Sequence, residues 1–246
     1  MSGRMNAGAY GDALADVYDF MYPHDETADT VAFLGGLLPE GGRVVEFGPG
    51  TGRVALPLAQ EGFSVHGIEA SARMIEKLRE RDPQSTVKAV QADFSEHLID
   101  GNFDLCYVVC NTLFMILDAE QQIATLRNAA AHLVPGGHVV VEAAEPSYFH
   151  QLTKPTLQTR HLAADKLMLD TIMVDSVNQM LYEVHAVIGS GSVSTFTEAS
   201  RYAWPNELDL MARLAGLTKV DRFADWDRSP LRPGAERYIT VYRKAA

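Results

Sequence analysis

Short apolar runs alternate with amphipathic stretches through the first 145 residues of this chain. RVVEF (43–47) predicts a strand, and VALPLAQEG (54–62) a helix that stops at Gly62. SVHGIE (64–69) is the next strand, followed by a helix from Ser71 to about Arg81. TVKAVQ (86–91) and FDLCYVVC (103–110) predict a third and a fourth strand. DAEQQIATLRNAAAHLV (118–134) is a helix with Asp118 at its N-cap and PGG just past its end, and HVVVEAA (138–144) is a fifth strand. Strands alternating with helices at this spacing predict βαβ units. Their nearly continuous Val, Ile and Leu content predicts a parallel sheet covered on both faces.

Two helical segments, DALADVYDFMY and DETADTVAFLGGLL, precede this region. After residue 145 the period shortens. Leu167–Val174, Gln179–Ile188 and Ser194–Ala203 lean to strand, with turn residues between them. PNELDLMARLAG (205–216) then predicts a helix with Pro205 near its start, and LTKVDRF and RYITVYR two late strands. The expected fold is α/β: a doubly wound, seven-stranded, mostly parallel sheet with an N-terminal helical lid and an inserted antiparallel β lobe. The expected divisions are a lid at 1–38, a ligand-binding core at 39–145, a substrate lobe at 146–204, and a last helix and two strands at 205–246. No repeat or low-complexity segment interrupts this pattern.

The corner after the first strand, EFGPGTGRV, carries Gly48, Gly50 and Gly52. The dinucleotide fingerprint G-x-G-x-x-G would need a further glycine where Arg53 stands, so that motif fails by one position. Its physics remains, because glycine lets the backbone turn and lets a ligand approach, and the helix start favours an anionic group. Glu46, at the carboxyl end of the first strand, favours an ammonium over a pyrophosphate. Glu69 closes the second, where an acid accepts the hydroxyls of a ribose. A carboxylate and an ammonium at one end and a ribose at the other describe S-adenosylmethionine (SAM).

Composition narrows the partners. A formal charge of −11 and the lack of any basic run exclude a surface built to hold phosphate backbones. The N-terminus has no apolar core of a secretory signal, and no segment reaches the roughly 18 apolar residues of a membrane helix, so a cytoplasmic protein is expected. Cys106 and Cys110 would lie about 13 Å apart along a strand at ~3.3 Å per residue. That is too far for a disulfide, and two cysteines make a poor zinc site; no metal is expected. The expected partner is a small-molecule substrate, with no nucleic acid and no membrane; a homodimer is left open.

From about Tyr10 to Arg243 the chain resembles the class I SAM-dependent methyltransferases. The resemblance rests on VVEFGPGTG, Glu69, Asp93 in QADF, and the LxPGG pattern at Leu133–Gly137, in order and at the usual spacing. ADVYDFMY (15–22) and ELDLMARLAGL (207–217) further resemble small-molecule enzymes, notably the N-methyltransferases of antibiotic aminosugars. Position by position, the resemblance implies that Glu46 and the Gly48–Gly52 backbone hold the methionine end and that Glu69 takes the ribose. It implies Ala70 and Met74 beside the adenine, Asp93 on its exocyclic amine and Phe94 stacked nearby. The Cys110 carbonyl would accept from the methionine ammonium, and Tyr18 and Tyr22 would reach in from the lid. Arg53 departs from many members; it either pairs with the methionine carboxylate or extends from the first helical turn. NTLF after the fourth strand lacks the Asn/Asp-Pro-Pro-Tyr pattern of nucleic-acid amino-methyltransferases.

The sulfonium already activates the methyl group, so in-line positioning and exclusion of water are the protein's main tasks. The expected reaction is displacement by a nitrogen or oxygen of a small molecule, with the lack of an obvious base favouring an amine or an acidic hydroxyl. Tyr22, Glu145 and His150 are the catalytic candidates, with Glu145 preferred over Glu142 for its access to solvent. Asn111, Phe114 and His185 are the substrate-side candidates. His66 reads as core, His132 as the solvent face of its helix, and His138 as the wrong end of the sheet. The rival functions are a SAM-binding protein without transfer, a SAM enzyme of other chemistry, and an NAD(P) oxidoreductase.

Overall fold

Apolar strands that bury both faces need helices above and below them, and the chain supplies these in order. The computed structural model describes residues 8–22, 27–163, 165–189 and 191–245. Strands β1 (Arg43–Phe47), β2 (Ser64–Glu69), β3 (Lys88–Gln91), β4 (Phe103–Val108) and β5 (Leu133–Ala144) run parallel. Two late strands, β10 (Leu217–Phe223) and β11 (Arg237–Lys244), complete a seven-stranded sheet of order β10-β11-β5-β4-β1-β2-β3. β11 is antiparallel to both its neighbours. The order reverses at β1, which lies between β2 and β4, so the ligand crevice of this fold opens beyond the carboxyl end of β1.

Helix α4 (Ala55–Gln60) follows β1, and α5 (Ala72–Arg81) follows β2 with the Ser71 side chain capping the Met74 amide. Helix α6 (Ala119–His132) is capped by Asp118, which accepts from the Gln121 amide. One apolar cluster joins Phe47, Phe103, Leu126 and Val139 across one face of the sheet; a second joins Leu34, Val44, Leu58 and Tyr107 on the other. Val44 and Val45, neighbours on β1, fall in different clusters, as the two-residue period requires.

The N-terminal segment departs from expectation. DALADVYDFMY predicts one helix, whereas α1 (Ala9–Leu14) and α2 (Tyr18–Met21) are separate and short. Neither is long enough to be stable alone. Each is fixed by an apolar anchor, Leu14 or Met21, buried against Met74 and Met168. The second segment forms α3 (Thr27–Gly35); the start predicted for it at Asp25 lies outside the described residues.

The lobe has four strands, not three, and forms its own sheet: β6 (Thr156–Ala163), β7 (Lys166–Asp175), β8 (Met180–Gly189) and β9 (Ser192–Arg201), in that order and antiparallel. β6 escapes the sequence because it is a mostly exposed edge strand whose Gln, Thr, Arg and His mask the alternation. Helix α7 (Pro205–Leu214) leads back to β10. Among the described residues, no helix is long and apolar enough to cross a membrane.

Candidate active site

The glycine corner is a strained turn that only glycine satisfies. Gly48, Gly50 and Gly52 have φ of 77°, 55° and 85°. A Cβ on Gly48 would come within 2.7 Å of the Thr112 methyl, and one on Gly52 would collide with Leu78 and Leu56. Glu69 braces this turn. Its two oxygens accept from the Gly50 amide (2.9 Å) and the Ser71 amide (2.8 Å), tying the end of β2 to the corner after β1. Burial raises its pKa despite those bonds. Lone pairs beyond these bonds remain for a ligand hydroxyl.

Glu46 lies deeper. It is 2 % exposed and accepts a 2.6 Å hydrogen bond from the Tyr107 hydroxyl inside the sheet. Burial pushes its carboxyl up to about 8, against Tyr107 and Arg53, which favour the ionised form. Arg53 does not point to solvent; its guanidinium donates to the Cys110 sulfur and lies in the field of Glu46 and Glu142. Cys110 and Asn111 both have positive φ, 55° and 59°, and β5 holds them there. Glu142 accepts from the Cys110 amide, and the Asn111 side chain accepts from the Ala144 amide at 2.6 Å.

These elements open into a cavity of about 1010 Å³. Gly48, Gly50, Glu69, Ala70, Met74, Asp93, Phe94, Cys110, Asn111 and Phe114 line it, together with Tyr18 and Tyr22 from the lid and His185 from the lobe. Phe94 stacks on Phe47, with ring centres 5.5 Å apart. Asp93 turns one oxygen to the amide and hydroxyl of Ser95. Tyr18 packs against Tyr22 at 4.9 Å, and the Tyr22 hydroxyl meets that of Tyr10 at 3.4 Å. Burial, then Glu198, push the Tyr22 phenol up to about 12, so at neutral pH it is a donor and not a base.

The far wall belongs to the lobe. Asp170, Glu183, His185 and Glu198 project from one face of β7, β8 and β9 into the cavity, with Arg160 from β6 beside them. Asp170 accepts from Arg160 Nε at 2.8 Å and meets His185 Nδ1 at 2.6 Å. Glu183 and Glu198 stand directly opposite each other across β8 and β9. Burial, then repulsion from Glu198, raise Glu183 to about 7. Arg160 is the one Arg or Lys among the described residues lining the cavity.

A family model described as a methyltransferase domain matches residues 21–184. The chain belongs to this family. It is a SAM-dependent methyltransferase. It is 30 % identical over 217 residues to a cypemycin N-terminal methyltransferase from Streptomyces sp, covering 86 % of this chain and 89 % of that one. Its structure is similar to that of the CcbJ methyltransferase from Streptomyces caelestis, with a TM-score of 0.92, 35 % identity, and coverage of 98 % of this chain and 100 % of the other. SAM-bound CalS10, an amino pentose methyltransferase from Micromonospora echinaspora, shares the fold at a TM-score of 0.67 and 18 % identity, over 92 % and 94 % of the two chains.

The methyltransferase fits its cofactor by its own geometry. The positive-φ glycine turn admits a close ligand, Glu69 offers buried acceptors beside it, and the chamber has room for a nucleoside and a second molecule. Several expectations are corrected. Glu46, Gly52 and Arg53 do not line the cavity; they support its wall from behind, because the sheet and the start of α4 cover them. Glu145 caps a surface turn at Ser147, and His150 bonds the Tyr202 hydroxyl at 2.8 Å outside the cavity wall, so neither faces it. Glu142, passed over for Glu145, is the acid that holds the Cys110 corner. His132 is 1 % exposed; its Nε2 accepts from the Ile99 amide while Nδ1 bonds the Asn128 carbonyl. Sequence reasoning missed Tyr10, Tyr107, Asp170, Glu183 and Glu198. For Glu183 and His185 a signal existed: two ionisable residues at alternate positions of one otherwise apolar strand.

Proposed function

We propose that this methyltransferase transfers a methyl group to an amine nitrogen of a small molecule, an intermediate of natural-product assembly. The acidity of the substrate wall carries this reading. Three carboxylates, Asp170, Glu183 and Glu198, face a chamber to which only Arg160 brings a permanent cation. An ammonium group neutralises such a wall, whereas a phenolate or carboxylate substrate adds to the repulsion. The names of the relatives agree, since cypemycin N-terminal and amino pentose methyltransferases act on nitrogen-bearing compounds.

When bound, SAM supplies an electrophilic methyl for in-line displacement. The chain's residues do the rest. The glycine turn and Glu69 fix one end of the chamber, and Glu183 and Glu198 draw the amine to the other. Tyr10, Tyr18 and Tyr22 form the aromatic strip between them and exclude water. Fixing two reactants in this way can be worth about 7–11 kcal/mol.

The test is methyl transfer from radiolabelled SAM to paired acceptors: L-prolinamide, tri-alanine and D-glucosamine against catechol and D-glucose. Label should enter amines and not hydroxyls, and Glu183→Gln with Glu198→Gln should raise the amine KM about tenfold or more. Label in catechol with none in any amine would overturn the assignment.

A further inference from the structure

His185 is buried in a manner that burial alone does not explain. Its side chain is 3 % exposed, and Nδ1 is engaged by Asp170 at 2.6 Å. Nε2 is buried and makes no hydrogen bond, although Glu198 lies 3.5 Å and Glu183 3.7 Å from it and the residue lines the cavity. Phe196 stacks flat on the ring at 4.5 Å and fixes its plane. Buried polar atoms are nearly always satisfied, so an idle ring nitrogen held by a carboxylate on its other side points to a missing partner. Glu183 and Glu198, opposed across two strands, repel each other unless positive charge comes between them.

We propose that the Asp170–His185 pair is the proton acceptor of this methyltransferase, and that Nε2 removes a proton from a substrate ammonium clamped by Glu183 and Glu198. The inference rests on the amine reading above and adds a catalytic residue to it. The balance is simple. The N–H bond of the ammonium breaks and an Nε2–H bond forms. The positive charge passes from substrate to imidazolium, and the amine keeps the electron pair needed to attack carbon. Asp170 accepts from Nδ1–H, which presents the Nε2 lone pair to the cavity and stabilises the imidazolium that forms. Arg160 holds Asp170 from the other side at 2.7 Å. Glu198 also lies in the electrostatic field of Tyr10 and Tyr22, so the acidic end is continuous with the aromatic strip that leads to the glycine turn.

The charged groups facing the ring are Arg160 on β6, Asp170 on β7, Glu183 on β8 and Glu198 on β9, with the Tyr10 and Tyr22 phenols on the lid side. Burial opposes a charged ring, but Glu198 and Asp170 outweigh it, and the His185 pKa lies above its ordinary value of 6.5. The base form is the neutral one, so activity should rise as pH increases through that raised pKa.

Two measurements test the proposal. In the protein without substrate, imidazole ¹⁵N NMR should show His185 protonated on Nδ1 and titrating at Nε2 above pH 6.5, and Asp170→Asn should lower that midpoint. An Nδ1 without its proton, or an Nε2 protonated throughout pH 6–9, would overturn it whether or not any acceptor is methylated. With L-prolinamide, His185→Gln should keep KM within about threefold and lose about 10²–10⁴-fold in kcat at pH 7. The loss should shrink as pH rises, because solvent then deprotonates the amine. A deficit that is the same at every pH would mark His185 as merely structural. Activity abolished by EDTA and restored by Zn²⁺ or Mn²⁺ would show instead that Glu183, His185 and Glu198, whose ligand atoms lie within 4.8 Å of one another, hold a metal. Either result would overturn the proposal. Methylation of catechol alone, with the NMR result as expected, would remove the amine reading and leave the dyad.

Discussion

At the scale of single residues, the acids of the corner divide the work by depth. Glu69 reaches the cavity and also ties two backbone amides, so it both offers acceptors and keeps the glycine turn in shape. Glu69→Ala should weaken S-adenosylhomocysteine binding by about 1–3 kcal/mol, the range for lost hydrogen bonds to a charged group; calorimetry measures it. Unchanged affinity would remove Glu69 from the ligand. Glu46 needs Tyr107 because a buried carboxyl without a partner is costly. Tyr107→Phe deletes that partner and should lower stability by about 1–3 kcal/mol, read from denaturant midpoints.

At the scale of elements, the lid is held less by its own helicity than by side chains that reach the core. Asp12 accepts from the Ser71 hydroxyl at 2.6 Å, and Asp19 accepts from the Thr51 hydroxyl at 2.7 Å. Those partners lie beside Glu69 and within the glycine corner, so lid closure and corner geometry are linked. Arg73 and Asp16 also pair, at 2.6 Å, but both are exposed and the pair adds little. Asp12→Ala with Asp19→Ala should therefore raise the KM for SAM several-fold and speed proteolytic cleavage in the lid, while the melting temperature moves little. Unaltered KM and cleavage would mean that Leu14 and Met21 hold the lid by themselves. The lobe illustrates how strand register makes a site. Asp170, Glu183, His185 and Glu198 come from three strands, and each is an ordinary polar residue until the pairings Asp170↔His185 and Glu183↔Glu198 stack them on one face.

At the scale of the whole molecule, buried acids should set how stability depends on pH. Burial raises Glu46 to about 8 and Glu183 to about 7, from an unfolded value of 4.5. The folded state therefore keeps protons that the unfolded state has released, and stability falls as pH rises from 4.5 through 8. His66, His132 and His138 shift downward by burial and act in the opposite sense, but only below about their unfolded value of 6.5. Between pH 6.5 and 8 the acids remain, joined by His185, whose raised pKa acts in the same direction. The melting temperature of the ligand-free protein should decline over that window, and more gently in Glu46→Gln. Each retained proton changes stability by about 1.4 kcal/mol per pH unit. Parallel melting curves for the two proteins would show that Glu46 ionises normally.

The chain by itself determined the sheet of alternating strands and helices, the glycine corner, and the two acids near the carboxyl ends of β1 and β2. Those features rest on local rules: two-residue and 3.6-residue periods, caps, and glycine's access to positive φ, all of which operate within a few residues. Tertiary structure alone decided which acids face the cavity and which stay behind it. Glu46, one residue inside the end of β1, and Glu69, at the end of β2, both lie near the carboxyl ends of neighbouring strands, yet only the fold places Tyr107 over the first and leaves the second open. It also decided that Glu142 rather than Glu145 holds the Cys110 corner and that His132 is interior. It brought the lobe's His185 beside Glu183 and Glu198. Burial and cross-strand register depend on residues far apart in sequence, and no local pattern encodes them.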